Sequence, residues 1–308
     1  MSKSLREAYG EALTALGREN QQIVVFDADL SHATQTCIFS REFPGRFYNM
    51  GIAEADAVCA AAAFANTGLI PFFSTFAIFG AGRAFEQIRN SIAYVNANVK
   101  LVFTHAGISV GEDGGSHQAI EDISLMRGLP NMTVIVPCDP LETGKAVCEA
   151  ARIDGPVYIR VGRPVCENIT DLKTPFELGK AVVLKDGTDL CLIACGLEVH
   201  EALKSARVLE DWGISTAVVD MHTIKPIDSE VILHYGSVCK AVVTVEEHSV
   251  IGGLGSAVAE VLCGNGNARF ARIGIQDKFG RSGKPSDLFE AYGLSADKIV
   301  QTCRNLIK

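Results

Sequence analysis

Short apolar runs that alternate with stretches of helical periodicity restrict the fold of this chain more than any other feature. Runs at 23–26, 70–73, 99–105, 133–136 and 157–160 read as buried strands. Between them lie helical patterns. Leu5, Tyr9, Ala12, Leu13 and Leu16 recur at near-helical spacing, and small residues fill a helix over 53–65. A further strand is expected near 47–50 and helices over 76–94, after Gln118 and from Leu141. The stretch 165–178 loses this periodicity, and then the alternation restarts. Strands at 190–194, 216–219, 241–245 and 270–275 are separated by helices from Glu198, near Glu230 and from Ser256. Strands that alternate with helices form parallel sheets covered on both faces. The chain is therefore predicted to be α/β, with two doubly wound domains at 1–164 and 179–308, each built on a mainly parallel sheet, and a linker at 165–178. A length of 308 residues suits that division.

One loop stands out between the strand ending near Phe103 and the helix expected from Gln118. It runs Gly107-Ile-Ser-Val-Gly-Glu-Asp-Gly-Gly-Ser-His-Gln118. Its glycines allow tight turns and close approach to a ligand, and Glu112, Asp113 and His117 are threaded among them, with His105 just before. Such a loop is either a solvated surface segment or a functional one.

Composition excludes several classes. The formal charge of −8 argues against nucleic-acid and anionic-membrane partners. Ten cysteines without a C-x-x-C pair read as reduced cytosolic thiols, mostly in the core, so a cytoplasmic location is expected. Residues 57–82 include no charge and are long enough to span a bilayer, but Asn66-Thr67-Gly68 and Pro71 break the run, which reads as helix, turn and buried strand. Gly253-Leu-Gly255 opens a helix after a strand, as a dinucleotide fingerprint does, yet its third position and acidic partner are missing. Glu246-Glu247-His248 lacks the spacing of a metal site.

Several candidate residues remain. Glu54 opens a helix after Gly51-Ile-Ala53. It is either a carboxylate favoured by the helix N-terminus or a desolvated acid able to share a proton with a heterocycle. Phe76 and Phe79, three apart in the predicted helix, are either core or a stacking face. Asp29 and His105 end strands, where ligands of open α/β sheets gather. Arg6 and Arg160 say little by themselves.

Taken together these residues resemble the transketolase family. Thr104-His105 with Gly111-Glu-Asp-Gly-Gly-Ser-His-Gln118 resembles its substrate loop. Ala28-Asp29-Leu30, Gly51-Ile-Ala-Glu54, Ser74-Thr75-Phe76-Ala-Ile-Phe79, Thr223-Ile-Lys-Pro-Ile-Asp228 and Val245-Glu-Glu-His-Ser-Val-Ile-Gly-Gly-Leu-Gly255 match in order along the chain. The resemblance covers the second half of a full-length transketolase, without the N-terminal Gly-Asp-Gly diphosphate and Mg2+ motif. It implies a pyrimidine-binding domain of a thiamine diphosphate enzyme, followed by a transketolase C-terminal domain. The chain would be the small subunit of a split transketolase, a transferase moving a two-carbon ketol unit from a ketose phosphate to an aldose phosphate. A partner subunit would supply the N-terminal half and most Mg2+ ligands, in an α2β2 assembly.

The resemblance also implies residue roles. Glu54 matches the glutamate that hydrogen-bonds the aminopyrimidine of thiamine diphosphate and promotes its imino tautomer. Phe76 matches the ring-stacking aromatic, with Phe79 in support, and Asp29 and Leu30 line the cofactor pocket. His105 and His117 match groups that bind the donor sugar and move protons, and Asp113 one that reads a sugar hydroxyl. Arg6 and Arg160 match phosphate-binding arginines. No metal ligand is expected in this chain. Ala33 stands where the family often has a phosphate-binding serine, which opens a modified, branched or sulfonated sugar as an alternative. More distant alternatives are the β subunit of a 2-oxo acid dehydrogenase, 1-deoxyxylulose-5-phosphate synthase and a non-catalytic regulatory subunit.

Overall fold

The computed structural model describes residues 2–265 and 268–308. Its strands are β1 (Lys3–Ser4), β2 (Ile23–Asp27), β3 (Phe47–Asn49), β4 (Ile70–Phe76), β5 (Lys100–Thr104), β6 (Thr133–Ile135) and β7 (Val157–Val161), then β8 (Val165–Cys166), β9 (Val182–Lys185), β10 (Leu190–Ala194), β11 (Thr216–Asp220), β12 (Thr223–Lys225), β13 (Ala241–Ser249) and β14 (Arg269–Ile275). The first sheet has the order β12-β6-β7-β5-β4-β2-β3 and the second β14-β13-β10-β11-β9. All pairings in them are parallel except those of the two edge strands β12 and β9. β2, β4, β5 and β7 are buried along their whole length, which is why the sequence shows them as continuous apolar runs.

The first helix, Leu5–Glu19, begins in a capping box in which Ser4 and Glu7 satisfy each other's backbone. It turns Leu5, Tyr9 and Leu13 into the core and leaves Arg6 half-buried beside the C-terminal ends of the strands. The uncharged run 57–82 divides into the end of helix Glu54–Ala65, a turn and β4, as expected, and then enters the π-helical segment Ile78–Arg83. No helix among the described residues is long and apolar enough to cross a membrane. All ten cysteines are free thiols, six of them buried.

Several local expectations are corrected. The helix predicted over 76–94 is two π-helical segments, Ile78–Arg83 and Ile88–Ala93, around the short helix Phe85–Gln87. The strand before it runs on to Phe76, so Phe76 and Phe79 lie on different elements. The helix after the glycine loop spans only Asp122–Arg127. The linker region contains β8, which pairs with β1. β12, from the second half of the chain, is hydrogen-bonded to β6 at the edge of the first sheet, so the two halves share a sheet. The glycine pair after β13 serves the fold: Leu254 and Gly255 donate their N–H groups to the Glu246 carboxylate at 2.7 and 2.8 Å. That helix N-terminus is filled from within the chain and is not open to a diphosphate.

Candidate active site

Four strand ends build one face of the molecule. At the end of β2, Asp27 is buried and accepts from Leu30 N (2.6 Å), Thr34 Oγ1 (2.8 Å) and Thr36 Oγ1 (2.9 Å). Burial pushes its carboxyl up to about 6 against these hydrogen bonds. The result is a fixed turn that presents Asp29, at φ 63°, and Leu30. Asp29 is exposed, and Asn49 at the end of β3 bonds both its N–H and its carboxylate at 3.1 and 3.0 Å. Neither Asp27 nor Asn49 was distinguishable in the sequence from ordinary strand-end polar residues.

Glu54 heads the helix after β3 and is 2% exposed. Its two carboxylate oxygens accept from Arg83 Nη1 at 3.0 and 2.9 Å. Across from it, Phe76 and Phe79 stack at 5.9 Å and 14°. The other partner of Phe76 is His105, 3.8 Å away and 26° from parallel. Phe76 is buried by these neighbours, whereas Phe79 is only partly buried and meets the edge of His117 at 5.4 Å. Of the two phenylalanines, Phe79 has the more accessible ring.

His105 follows β5 at φ 57°, an uncommon conformation for a non-glycine residue and the kind of strain that collects at functional sites. Burial, then the charges of Arg6 and Arg163, then His117, push its pKa down to about 3, so at neutral pH the imidazole is uncharged. Its Nδ1 lies 2.8 Å from Thr104 Oγ1. Nearby, Arg6 donates from Nη1 to Ala33 O at 2.7 Å, and its buried Nε has no partner. Arg163 Nη1 donates to Val110 O and lies 3.7 Å from Asp113 Oδ2.

Arg160 departs from its expected role. It is 6% exposed and its Nε donates to Asp122 Oδ2 at 2.7 Å, with Nη2 on Glu247 O (3.0 Å) and Ala119 O (3.3 Å). Burial opposes the charges of this pair, yet each partner stabilises the other: Asp122 is held below the ordinary carboxylate range and Arg160 above its own. A guanidinium so engaged has little left for a phosphate. Arg163, three residues on and partly exposed, is the arginine that lies with Arg6 and His105. The sequence signal for it was present in Arg-Val-Gly-Arg, where either arginine could serve.

The glycine loop is packed, not a free solvated segment. Ile108 to Gly111 and Gln118 are buried, while Glu112 and Asp113 are exposed. Residues of the second half hold it. Ser109 N donates to Glu247 Oε1 at 2.5 Å, Ser282 Oγ to Glu112 O at 2.5 Å and Gln118 Nε2 to Arg281 O at 3.0 Å. A Cβ on Gly107, whose φ is 79°, would stand 2.3 Å from Glu247 Oε1, and one on Gly115 would stand 2.6 Å from Gly280 O. These glycines are needed for close approach, and the approach is to the C-terminal half of the same chain.

Residues suited to an aminopyrimidine are thus present: a buried carboxylate and an accessible aromatic ring. Among the described residues, the three-donor cluster Cys138, Glu142 and Asp220 is wholly buried and has no open side.

Residues 1–167 match the family described as transketolase, pyrimidine binding domain, and residues 179–299 that described as transketolase, C-terminal domain. The chain is similar to a split gene transketolase solved as an inactive β4 tetramer, at 49% identity and a TM-score of 0.91 over 100% of this chain and 99% of that one. It is 40% identical to a 6-deoxy-6-sulfo-D-fructose transketolase subunit of Clostridium sp. over 98% of this chain and 94% of that one. It is 39% identical to human transketolase, covering 98% of this chain but 49% of the human protein.

Proposed function

Since the chain belongs to the transketolase family and carries its pyrimidine-binding and C-terminal domains, we propose that it is the smaller subunit of a split, thiamine diphosphate-dependent transketolase. In this reading it transfers a two-carbon ketol unit between sugars only when a partner supplies the diphosphate- and Mg2+-binding half. The observation that carries the proposal is the grouping of Glu54, the Phe76–Phe79–His105 stack and the Arg6–Arg163 pair on one face. What thiamine diphosphate supplies when bound is an electron sink for cleavage of a C–C bond beside a carbonyl.

The chain's own residues then have distinct tasks. Glu54, buried at the helix start, would accept or share a hydrogen bond with the pyrimidine ring nitrogen. Phe79, with Phe76 behind it, would offer the aromatic face for that heterocycle, and Asp29 and Leu30 would line the pocket. His105, neutral and locked by stacking on Phe76, hydrogen-bonds a sugar oxygen, and His117 takes part in proton transfer on the donor sugar. Asp113 reads a sugar hydroxyl. Arg6, with a free buried Nε, and Arg163 bind the anionic end.

The partner would be an N-terminal-half transketolase subunit, with α2β2 as the simplest closed arrangement. Similarity to a β4 tetramer described as inactive supports the need for one. A sulfonated sugar is the second reading for the substrate. Ala33 supplies a backbone carbonyl to Arg6 where a hydroxyl could have bonded a phosphate, and one relative is named for a sulfo-sugar. Calorimetric titration with thiamine diphosphate and Mg2+, with and without a subunit bearing the missing domain, tests the assembly. Tight binding and ketol transfer by this chain alone would overturn it. Fructose 6-phosphate and its 6-sulfo analogue, compared as donors, separate the two substrate readings.

A further inference from the structure

The guanidinium of Arg83 engages both residues proposed above for the aminopyrimidine, Glu54 and Phe79. Its Nη1 spans the two oxygens of Glu54 at 2.9 and 3.0 Å. Its Cζ lies 4.6 Å from the centroid of Phe79, over the ring. A flat cation on an aromatic face, hydrogen-bonded to a buried carboxylate, reproduces the contacts of a protonated pyrimidine ring. The Glu54 carboxylate is 2% exposed, while the Arg83 side chain is 52% exposed and opens to solvent, so the arginine can leave where the glutamate cannot. It stands at the end of the π-helical segment Ile78–Arg83. Short π-helical turns of this kind are frequent at functional sites. Here one carries Phe79 and Arg83 on the same turn.

We infer that Arg83 is a placeholder for the cofactor's aminopyrimidine. It pairs with Glu54 and covers Phe79 while the site is empty, and it must release at least one Glu54 oxygen and the Phe79 face for the cofactor to bind. The inference rests on the assignment of Glu54 and Phe79 to the cofactor. A buried carboxylate without a partner is costly, so Arg83 serves the cofactor-free protein by keeping Glu54 satisfied. The same contact competes with the cofactor and sets its affinity.

The experiment compares Arg83→Ala, Arg83→Met and Glu54→Gln in the chain assembled with a subunit carrying the diphosphate-binding domain. Affinity for thiamine diphosphate in saturating Mg2+ is read by calorimetry, and the melting temperature is read without cofactor. Either Arg83 variant is expected to bind the cofactor about 3- to 10-fold more tightly, with a lower cofactor-free melting temperature. Arg83→Met keeps most of the side chain's packing, should Arg83→Ala fail to fold. Unchanged or weaker binding in the Arg83 variant that folds, together with weaker binding in Glu54→Gln, overturns the placeholder and leaves the site assignment standing. If Glu54→Gln also leaves cofactor affinity untouched, the assignment of Glu54 falls and the placeholder falls with it.

Discussion

The imidazole of His105 lies 3.8 Å from the ring of Phe76, centroid to centroid. A residue proposed for the substrate and one proposed for the cofactor pocket therefore form one stack, and displacing either moves the other. That stack starts at the ends of two hydrogen-bonded strands, β4 and β5, where Phe76 is registered with Thr104. Precision of this kind comes from rigid elements and not from the loop that follows.

Glu54→Gln in the assembled enzyme should lower turnover by several orders of magnitude while leaving the fold intact, because the pyrimidine nitrogen loses its proton partner. Deuterium exchange at C2 of the cofactor measures this step directly. Wild-type exchange in the variant would remove Glu54 from the mechanism.

The two arginines of Arg-Val-Gly-Arg should separate in their effects. Arg163→Ala, like Arg6→Ala, should raise KM for a phosphorylated donor by about 2 kcal/mol, some thirtyfold, with a smaller effect on hydroxypyruvate. Arg160→Ala leaves Asp122 buried without its cation and should destabilise the fold by about 3–5 kcal/mol, read in urea unfolding. Equal stability losses from Arg163→Ala and Arg160→Ala would contradict this division.

How much of this was legible beforehand differs by element. The buried strands announced themselves, because β2, β4, β5 and β7 each carry a run of apolar residues and are buried along their whole length. The π-helical stretch around Arg83 did not, since its residues have ordinary helical periodicity and the extra backbone turn is decided by packing. Arg160 and Arg163 lie three apart, and which one faces the ligand depends on where β7 ends, at Val161. The antiparallel edge strands β9 and β12 are short, and nothing in 182–185 or 223–225 says which sheet they join. Local pattern specifies an element better than its neighbours.

Gly107→Ala should disturb activity more than stability. The added Cβ meets the buried Glu247 carboxylate at 2.3 Å, and the φ of 79° disfavours a side chain. A shift of the loop carrying Asp113 and His117 should reduce kcat/KM by about a hundredfold, with a stability cost of about 1–3 kcal/mol. Steady-state kinetics alongside circular dichroism checks it, and unaltered kinetics would mean the loop position is not limiting.

Glu247 also gives a pH signature. Burial pushes its carboxyl from 4.5 up to about 7, with Arg160 and the Ser109 N–H pulling the other way. A raised native value stabilises the fold fully below the ordinary carboxylate range, and this contribution is lost as pH rises through about 7. Glu247→Gln keeps an acceptor for Ser109 and removes the titration. Unfolding free energy of the wild type should therefore fall relative to the variant between about pH 5 and about pH 8, by on the order of 2 kcal/mol. Parallel pH profiles would show that Glu247 does not titrate in this range.

The pairing of β12 with β6 has a mechanical consequence. A protease that nicked the segment between the two halves would cut the chain without separating the pieces, because strand Thr223–Lys225 remains stitched into the sheet of the first. Expressed alone, residues 1–167 would expose the edge of β6 as an unpaired template, which invites aggregation. The C-terminal half is in that sense the selvedge of the first sheet.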